Sequence, residues 1–170
     1  MIKGLFVVIG LVGMMLGLCF LTMRVVKEVQ FDRGCEGYLK RAADANTIDL
    51  AKEQMQIALK YIEDNGLTQG YTSVIYNTPD EDVGFWYKNL KASYAELCTV
   101  TPETSQLERT NVLMKLRETL LDTHDKGVSV TAPDGISVYP NNLAYFFFGL
   151  FSGILAFFGF IVFVGVIADA

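Results

Sequence analysis

Two long stretches without a single charged side chain, residues 4–23 and 143–168, constrain this chain more than any other feature. A bilayer core is about 30 Å thick, and about 20 helical residues cross it. Both stretches are long enough. In lipid such a segment has to be helical, because no water is present to satisfy its backbone N–H and C=O groups. Two uncharged runs of this length in a chain of 170 residues predict two membrane spans rather than two core helices. The expected fold class is a mainly α membrane protein, with two transmembrane helices flanking a helical-bundle-like domain that carries a small β-hairpin.

The first run also has features of a secretory signal, since Lys3 gives it a basic start. A cleaved signal has an apolar core of about 7–15 residues and a small-x-small cleavage site. This stretch is longer, and no such site follows it. Leu16-Gly17-Leu18-Cys19 resembles a lipoprotein cleavage site, but Leu18 is too large for the position before the cysteine. Residues 1–23 are therefore expected to be an uncleaved signal anchor, 24–142 a helical domain, and 143–170 a second transmembrane helix.

All charged side chains except Lys3 and Asp169 lie in 24–142, a segment that carries the whole net charge of −5. An acidic domain argues against nucleic acid, whose phosphates require a basic surface. Nor does the chain carry a polybasic patch for anionic lipid. Orientation signals conflict. Arg24, Lys27 and Arg33 beside the first span favour a cytoplasmic domain, but that rule weakens for loops above about 60 residues. A signal anchor sends the following chain across the membrane. Cys35 and Cys98 are an even pair that an oxidising compartment would allow to join, with two buried free thiols as the alternative. The expectation is an integral protein of a bacterial inner membrane with an extracytoplasmic domain.

Within the domain, Phe31, Cys35, Tyr38 and Ala42 share one helical face, so the first helix is expected to continue to about residue 44. A second helix, about 48–64, has the stripe Ala51, Met55, Ala58 and Ile62. Asn46 is its expected cap and Asn65-Gly66 its stop. Residues 68–77 read as an extended connector. Thr78-Pro79-Asp80-Glu81 is a capping box with proline at the first helical position. It predicts a helix over about 79–98 that buries Val83, Trp86, Leu90, Tyr94 and Leu97. Thr101-Pro102 predicts another over about 102–123, burying Leu107, Leu113, Leu116 and Leu120. Val128-Ser129-Val130 and Ile136-Ser137-Val138 alternate around Pro133-Asp134-Gly135, which predicts a β-hairpin over about 127–139. Pro140 argues against one unbroken helix leading into the second span.

Several constellations carry candidate chemistry. Gly13 and Gly17 are four residues apart in the first span. Gly149 and Gly153 repeat that spacing in the second, with Ser152, Ala156 and Gly159 nearby. Small residues at this spacing let helices approach closely in lipid, so Gly13, Gly17, Gly149, Gly153 and Ala156 are the expected packing positions. The second span is also rich in phenylalanine, which suits lipid or a partner protein. Phe85, Trp86 and Tyr87 are consecutive, and a helix cannot bury all three on one face, so one or two are candidates for contact with a ligand or partner. His124 is the only histidine, and beside Asp122 and Asp125 it falls short of the three or four ligands a metal needs. No nucleophile motif, phosphate loop or calcium-loop spacing occurs. Neither span holds an ionisable group of the kind that transport requires. No catalytic residue, cofactor or metal is expected.

The order of span, helical domain and span resembles, in topology alone, the sensory half of bacterial chemoreceptors with four-helix ligand-binding domains. Pro140 departs from the continuous last helix of that pattern. The reading that follows is a non-enzymatic, membrane-anchored structural or accessory subunit. Its expected partners are lipid and either copies of itself or the subunits of a larger membrane complex. The alternative is an extracytoplasmic ligand-binding or sensory subunit that relays through a partner.

Overall fold

A computed structural model of the chain describes residues 2–73, 77–124, 127–138 and 143–168. The structure is mainly helical, with one small two-stranded antiparallel sheet. It divides into two compact units, residues 1–28 with 142–170, and residues 29–141.

The first unit consists of most of helix α1 (Ile2–Phe31) and all of α6 (Leu143–Ala168). Both helices are long and apolar enough to cross a membrane. Only 11% of the most apolar stretch of each is buried, so neither is the core helix of a compact domain. The two helices run antiparallel along a seam of small residues. A Cβ built on Gly10 would lie 2.6 Å from the Cα of Gly159, and one built on Gly13 would lie 2.7 Å from the carbonyl carbon of Leu155. Further along, Gly17 faces Ala156 and Ser152, and the Phe20 ring lies against Gly149. The paired numbers fall on one side as they rise on the other, which is the signature of antiparallel packing. Phe20 closes this end against Tyr145, ring centroids 4.7 Å apart, and the Tyr145 hydroxyl donates to the Phe20 carbonyl at 3.3 Å.

The second unit is a helical bundle with the sheet at its side. The last residues of α1 lead into a π-helical turn, Asp32–Glu36, and then α2 (Gly37–Ala43). A π turn takes up one extra residue and so rotates the face that follows. Leu39, four residues after Cys35, is buried, while Tyr38, expected on that face, is only partly covered. Helix α3 (Ile48–Asp64) starts at Thr47, whose hydroxyl accepts from the Leu50 N–H, rather than at Asn46. It ends in a Schellman motif: Gly66 has φ +69°, Leu67 N–H donates to the Ile62 carbonyl at 2.9 Å, and Gly66 N–H to that of Glu63 at 3.1 Å. Ala51, Met55, Ala58 and Ile62 all point into the core, as their spacing predicts.

The capping box of Thr78 forms, with Glu81 accepting from the Thr78 N–H at 3.2 Å and its hydroxyl at 2.8 Å. It caps only a short 3₁₀ turn, Pro79–Glu81. Helix α4 (Val83–Thr99) is capped separately by Asp82, which accepts from the Phe85 N–H at 3.0 Å. The connector is extended beside this junction. Val83 N–H donates to the Gly70 carbonyl and Thr72 N–H to that of Glu81. Val74–Tyr76 lie outside the described residues.

Three expectations for the rest of the domain are corrected. Helix α5 is Gln106–Leu120, capped by Ser105, because Thr101-Pro102 forms a turn instead. Arg109 holds that turn closed by donating to the carbonyls of Thr101, Pro102 and Thr104. Leu107, in the first turn of the shorter helix, is exposed. The sheet pairs β1 (Leu121–His124) with β2 (Gly127–Val130), not 128–130 with 136–138. Leu121, Asp122 and Thr123, expected to be helical, therefore become part of a strand, and Ile136 and Val138 are buried within turns. Tyr139–Asn142 and Asp125 lie outside the described residues.

Helix α3 packs on α2 and α4, and α5 packs on α2 and α4. Phe31, Cys35, Leu39, Met55, Ile62, Trp86, Leu90, Leu97 and Leu120 are among the side chains that fill the centre. Each fully buried leucine or methionine contributes about 1.5–3 kcal/mol relative to an exposed one.

Candidate functional site

The consecutive aromatics on α4 separate in three directions. Trp86 turns inward, 6% exposed, with its ring centroid 6.5 Å from that of Phe31. Tyr87 turns towards α3, where its hydroxyl donates to Glu63 at 2.5 Å and Lys91 lies 5.7 Å from its ring centroid. Lys91 also approaches the Glu63 carboxylate at 3.5 Å. The hydrogen bond from Tyr87, with help from Lys91, holds the Glu63 carboxyl below its ordinary value, and the same bond pushes the Tyr87 phenol up. Phe85 stays 60% exposed.

Phe85 and Trp86 share a cleft of about 850 Å³. Its floor is α4, with Asn89 and Leu90. One wall is the 3₁₀ turn, Thr78–Glu81, with the cap Asp82. The opposite wall comes from the end of α5, the sheet, and the segment after it through Thr119, Asp122, Ser129, Thr131 and Pro133. Thr131 fastens that wall to α5: its hydroxyl donates to the Thr119 carbonyl at 2.8 Å and its N–H to that of Leu120 at 3.0 Å.

Among the described residues, five carboxylates line the cleft, Asp80, Glu81, Asp82, Asp122 and Asp134, and no lysine, arginine or histidine does. Glu81 and Asp82 are engaged as caps. Asp80, Asp122 and Asp134 make no hydrogen bond or ion pair among the described residues, and all three are exposed. The indole N–H of Trp86 is buried and also lacks a partner there. A buried donor left without an acceptor costs about 1–3 kcal/mol, so such groups call for an explanation.

The remaining candidates are placed as follows. Cys35 and Cys98 are both free thiols; Cys35 is fully buried in the core and Cys98 is exposed near the end of α4. Gly13, Gly17, Gly149 and Ala156 lie on the seam between α1 and α6, whereas a Cβ on Gly153 would meet nothing within 4 Å. Gly10 belongs to the seam as well and was missed. Its spacing of three from Gly13 continues the same face, so the signal was present. The cleft was not foreseen, because it depends on a strand pairing that the sequence alternation misplaces. His124 is in β1 rather than at a helix end.

Comparison of the chain with protein families, with curated proteins and with solved structures finds no match.

Proposed function

We propose that the protein is a non-enzymatic, membrane-anchored accessory subunit that assembles with copies of itself or with a larger membrane complex. The observation that carries this reading is the surface of the α1–α6 pair. The seam uses the small residues, which leaves the opposite face of α6 as an unbroken apolar stripe: Phe147, Leu150, Phe151, Ile154, Phe158 and Ile161 are all exposed. An apolar surface of that extent needs lipid or another apolar surface against it. Packing between membrane helices gains nothing from the hydrophobic effect, since lipid is equally apolar, and rests on close fit. Bulky rings on the outward face of α6 favour a grooved partner over the seam's own flat contact.

The reading as non-enzymatic rests on the chain's single histidine and on its lack of a nucleophile or phosphate-binding motif. The domain is proposed to lie outside the cytoplasm, a placement supported by its length, which exempts it from the charge rule. The free state of Cys35 and Cys98 gives no further support to an oxidising compartment.

The outward face provides the test. Phe147→Leu, Phe151→Leu and Phe158→Leu together keep α6 apolar but change its relief. The expected result is unchanged recovery in the membrane fraction with a several-fold loss of co-isolated copies or partner subunits. Undiminished co-isolation would contradict the reading of this face as a contact. A second reading, a ligand-binding subunit, is favoured by the acidic cleft beside Trp86.

A further inference from the structure

We propose that the crevice between α2 and α3 receives the start of α4 from a second copy of this chain. The proposal deepens the accessory-subunit reading and rests on it for assembly among copies.

Two hollows, about 580 and 660 Å³, follow one another between α3 and the stretch formed by the π turn and α2. Ile57 lies in the first and Leu50 in the second. Seven residues apart, they share one face of α3, and both are exposed. Such residues are ordinary when scattered singly. In line along a crevice they give it an apolar floor.

The rim of that floor is basic. Of the charged side chains that line the hollows, Lys60 pairs with Asp64 at 2.9 Å, and Asp44 pairs with Arg117 from α5. Arg33, Lys40 and Arg41 remain, exposed and without a carboxylate partner among the described residues. Arg41 already lies 5.6 Å from the centroid of one aromatic ring, that of Tyr38.

This crevice suits an acidic occupant with an apolar knob, and the domain itself carries one. Phe85 is exposed in the first turn of α4. The cleft beside it bears Asp80, Asp122 and Asp134, which have no partner among the described residues. A ring brought to the crevice would be attracted by its guanidinium groups, and the carboxylates by all three cations. A phosphate or lipid headgroup would match the cations but not Leu50 and Ile57.

The packing order places knob and crevice on different copies. Helices α3 and α5 each pack on both α2 and α4, so the order around the bundle is α2, α3, α4, α5. The α2–α3 crevice and the α4–α5 side that bears Phe85 are therefore opposite faces, and no chain fills its own crevice. Each copy gives one contact and accepts another. Such head-to-tail contacts build rings where the rotation closes and filaments where it does not.

The test uses the full chain in a neutral detergent, produced with two different affinity tags, and reads how much of one tagged form is retained with the other. One variant reverses the crevice, with Arg33→Glu, Lys40→Glu and Arg41→Glu together. The other reverses the surroundings of the knob, with Asp80→Lys, Asp122→Lys and Asp134→Lys together. Each should co-isolate with itself several-fold less than the native chain does, because like charges then face each other. Mixed, the two should recover co-isolation, since every contact between them again joins opposite charges. Damage to the fold cannot produce that recovery, and contact through α6, the same in every form, cannot tell the pairings apart. Phe85→Ala should weaken native co-isolation several-fold. Raising salt from about 50 to 300 mM should do the same, as screened charge pairs do. Mixed variants that co-isolate no better than either alone would overturn the proposal. So would self-association of either variant at native strength, or an unchanged yield with Phe85→Ala. Native copies that do not co-isolate would overturn it too, whereas the accessory-subunit reading fails only if no other chain accompanies the protein either.

Discussion

Gly10 and Gly159 meet backbone to backbone: neither position has room for a Cβ, and one built on Gly10 would sit 2.6 Å from the Cα of Gly159. The contact fixes how α1 and α6 register, because every other seam contact follows from it by steps of three or four residues. At the far end the same register sets Phe20 beside Tyr145.

That register can be trapped. With the native cysteines replaced, Phe20→Cys and Tyr145→Cys are expected to react with a short bis-thiol crosslinker, changing the mobility of the chain. Adding Gly10→Leu should cut the yield several-fold. Forcing side-chain atoms into a packed contact costs about 1–3 kcal/mol, enough to part a pair held by close fit alone. An unchanged yield would mean that the seam does not depend on Gly10.

A second tight contact lies in the domain. Gly34, in the π turn, faces the ring of Tyr61, and a Cβ there would run into it. Gly34→Ala is expected to destabilise the domain by about 1–3 kcal/mol, measured by denaturant unfolding. Tyr61→Ala in the same chain should recover part of the loss. The double variant should then be less destabilised than the sum of the singles, since contacting residues are not additive. Strict additivity would place the strain elsewhere.

The Glu63–Tyr87 bond sets a pH window. Glu63 titrates below its ordinary 4.5, so its contribution to stability is present above that pH and is lost as pH falls through the lowered value. Tyr87 titrates above its ordinary 10.0, so its contribution is present below that pH and is lost as pH rises through the raised value. Glu63 is exposed, Tyr87 is half-buried, and solvent screens their bond, so the effect on stability is small. The sharper readout is the Glu63 carboxyl itself. Tyr87→Phe removes the largest cause and should return its titration, followed by NMR, towards 4.5. A titration unmoved by the change would show that the bond does not form in solution.

The thiols report on packing and on sidedness together. In intact cells a membrane-impermeant maleimide is expected to modify Cys98, which is exposed in a domain proposed to lie outside the cytoplasm. Cys35, fully buried, should react only after denaturation. Labelling of Cys98 only after the cells are opened would reverse the proposed orientation. Failure of both to react in opened cells under denaturing conditions until reductant is added would indicate a disulfide.

The apolar helices and the α3 stripe were legible in the sequence because each rests on one signal, an uncharged run or a repeating period. Helix starts were less legible. Thr78 and Thr101 carry the same Thr-Pro pair, yet neither begins a long helix, since Asp82 and Ser105 offer better-placed caps once the chain has turned. The hairpin was misplaced because 136–138 alternate as well as 128–130 do, and only tertiary packing selects 121–124 as the partner strand. Tyr38 and Leu39 both fit the spacing from Cys35, three and four residues on, and only packing selects Leu39 for the core. The cleft depends on all of these outcomes at once, so Phe85 and Trp86 were legible as candidates while nothing in the sequence brings Asp80, Asp122 and Asp134 together.

The most direct test of the proposed role is the native mass of the protein extracted gently from its own membrane, with every co-isolated chain identified. The account predicts a species well above the 18.9 kDa of a single chain, made of several copies or of this chain with other membrane subunits. A single folded chain carrying only lipid, at every detergent concentration that preserves its helices, would contradict it.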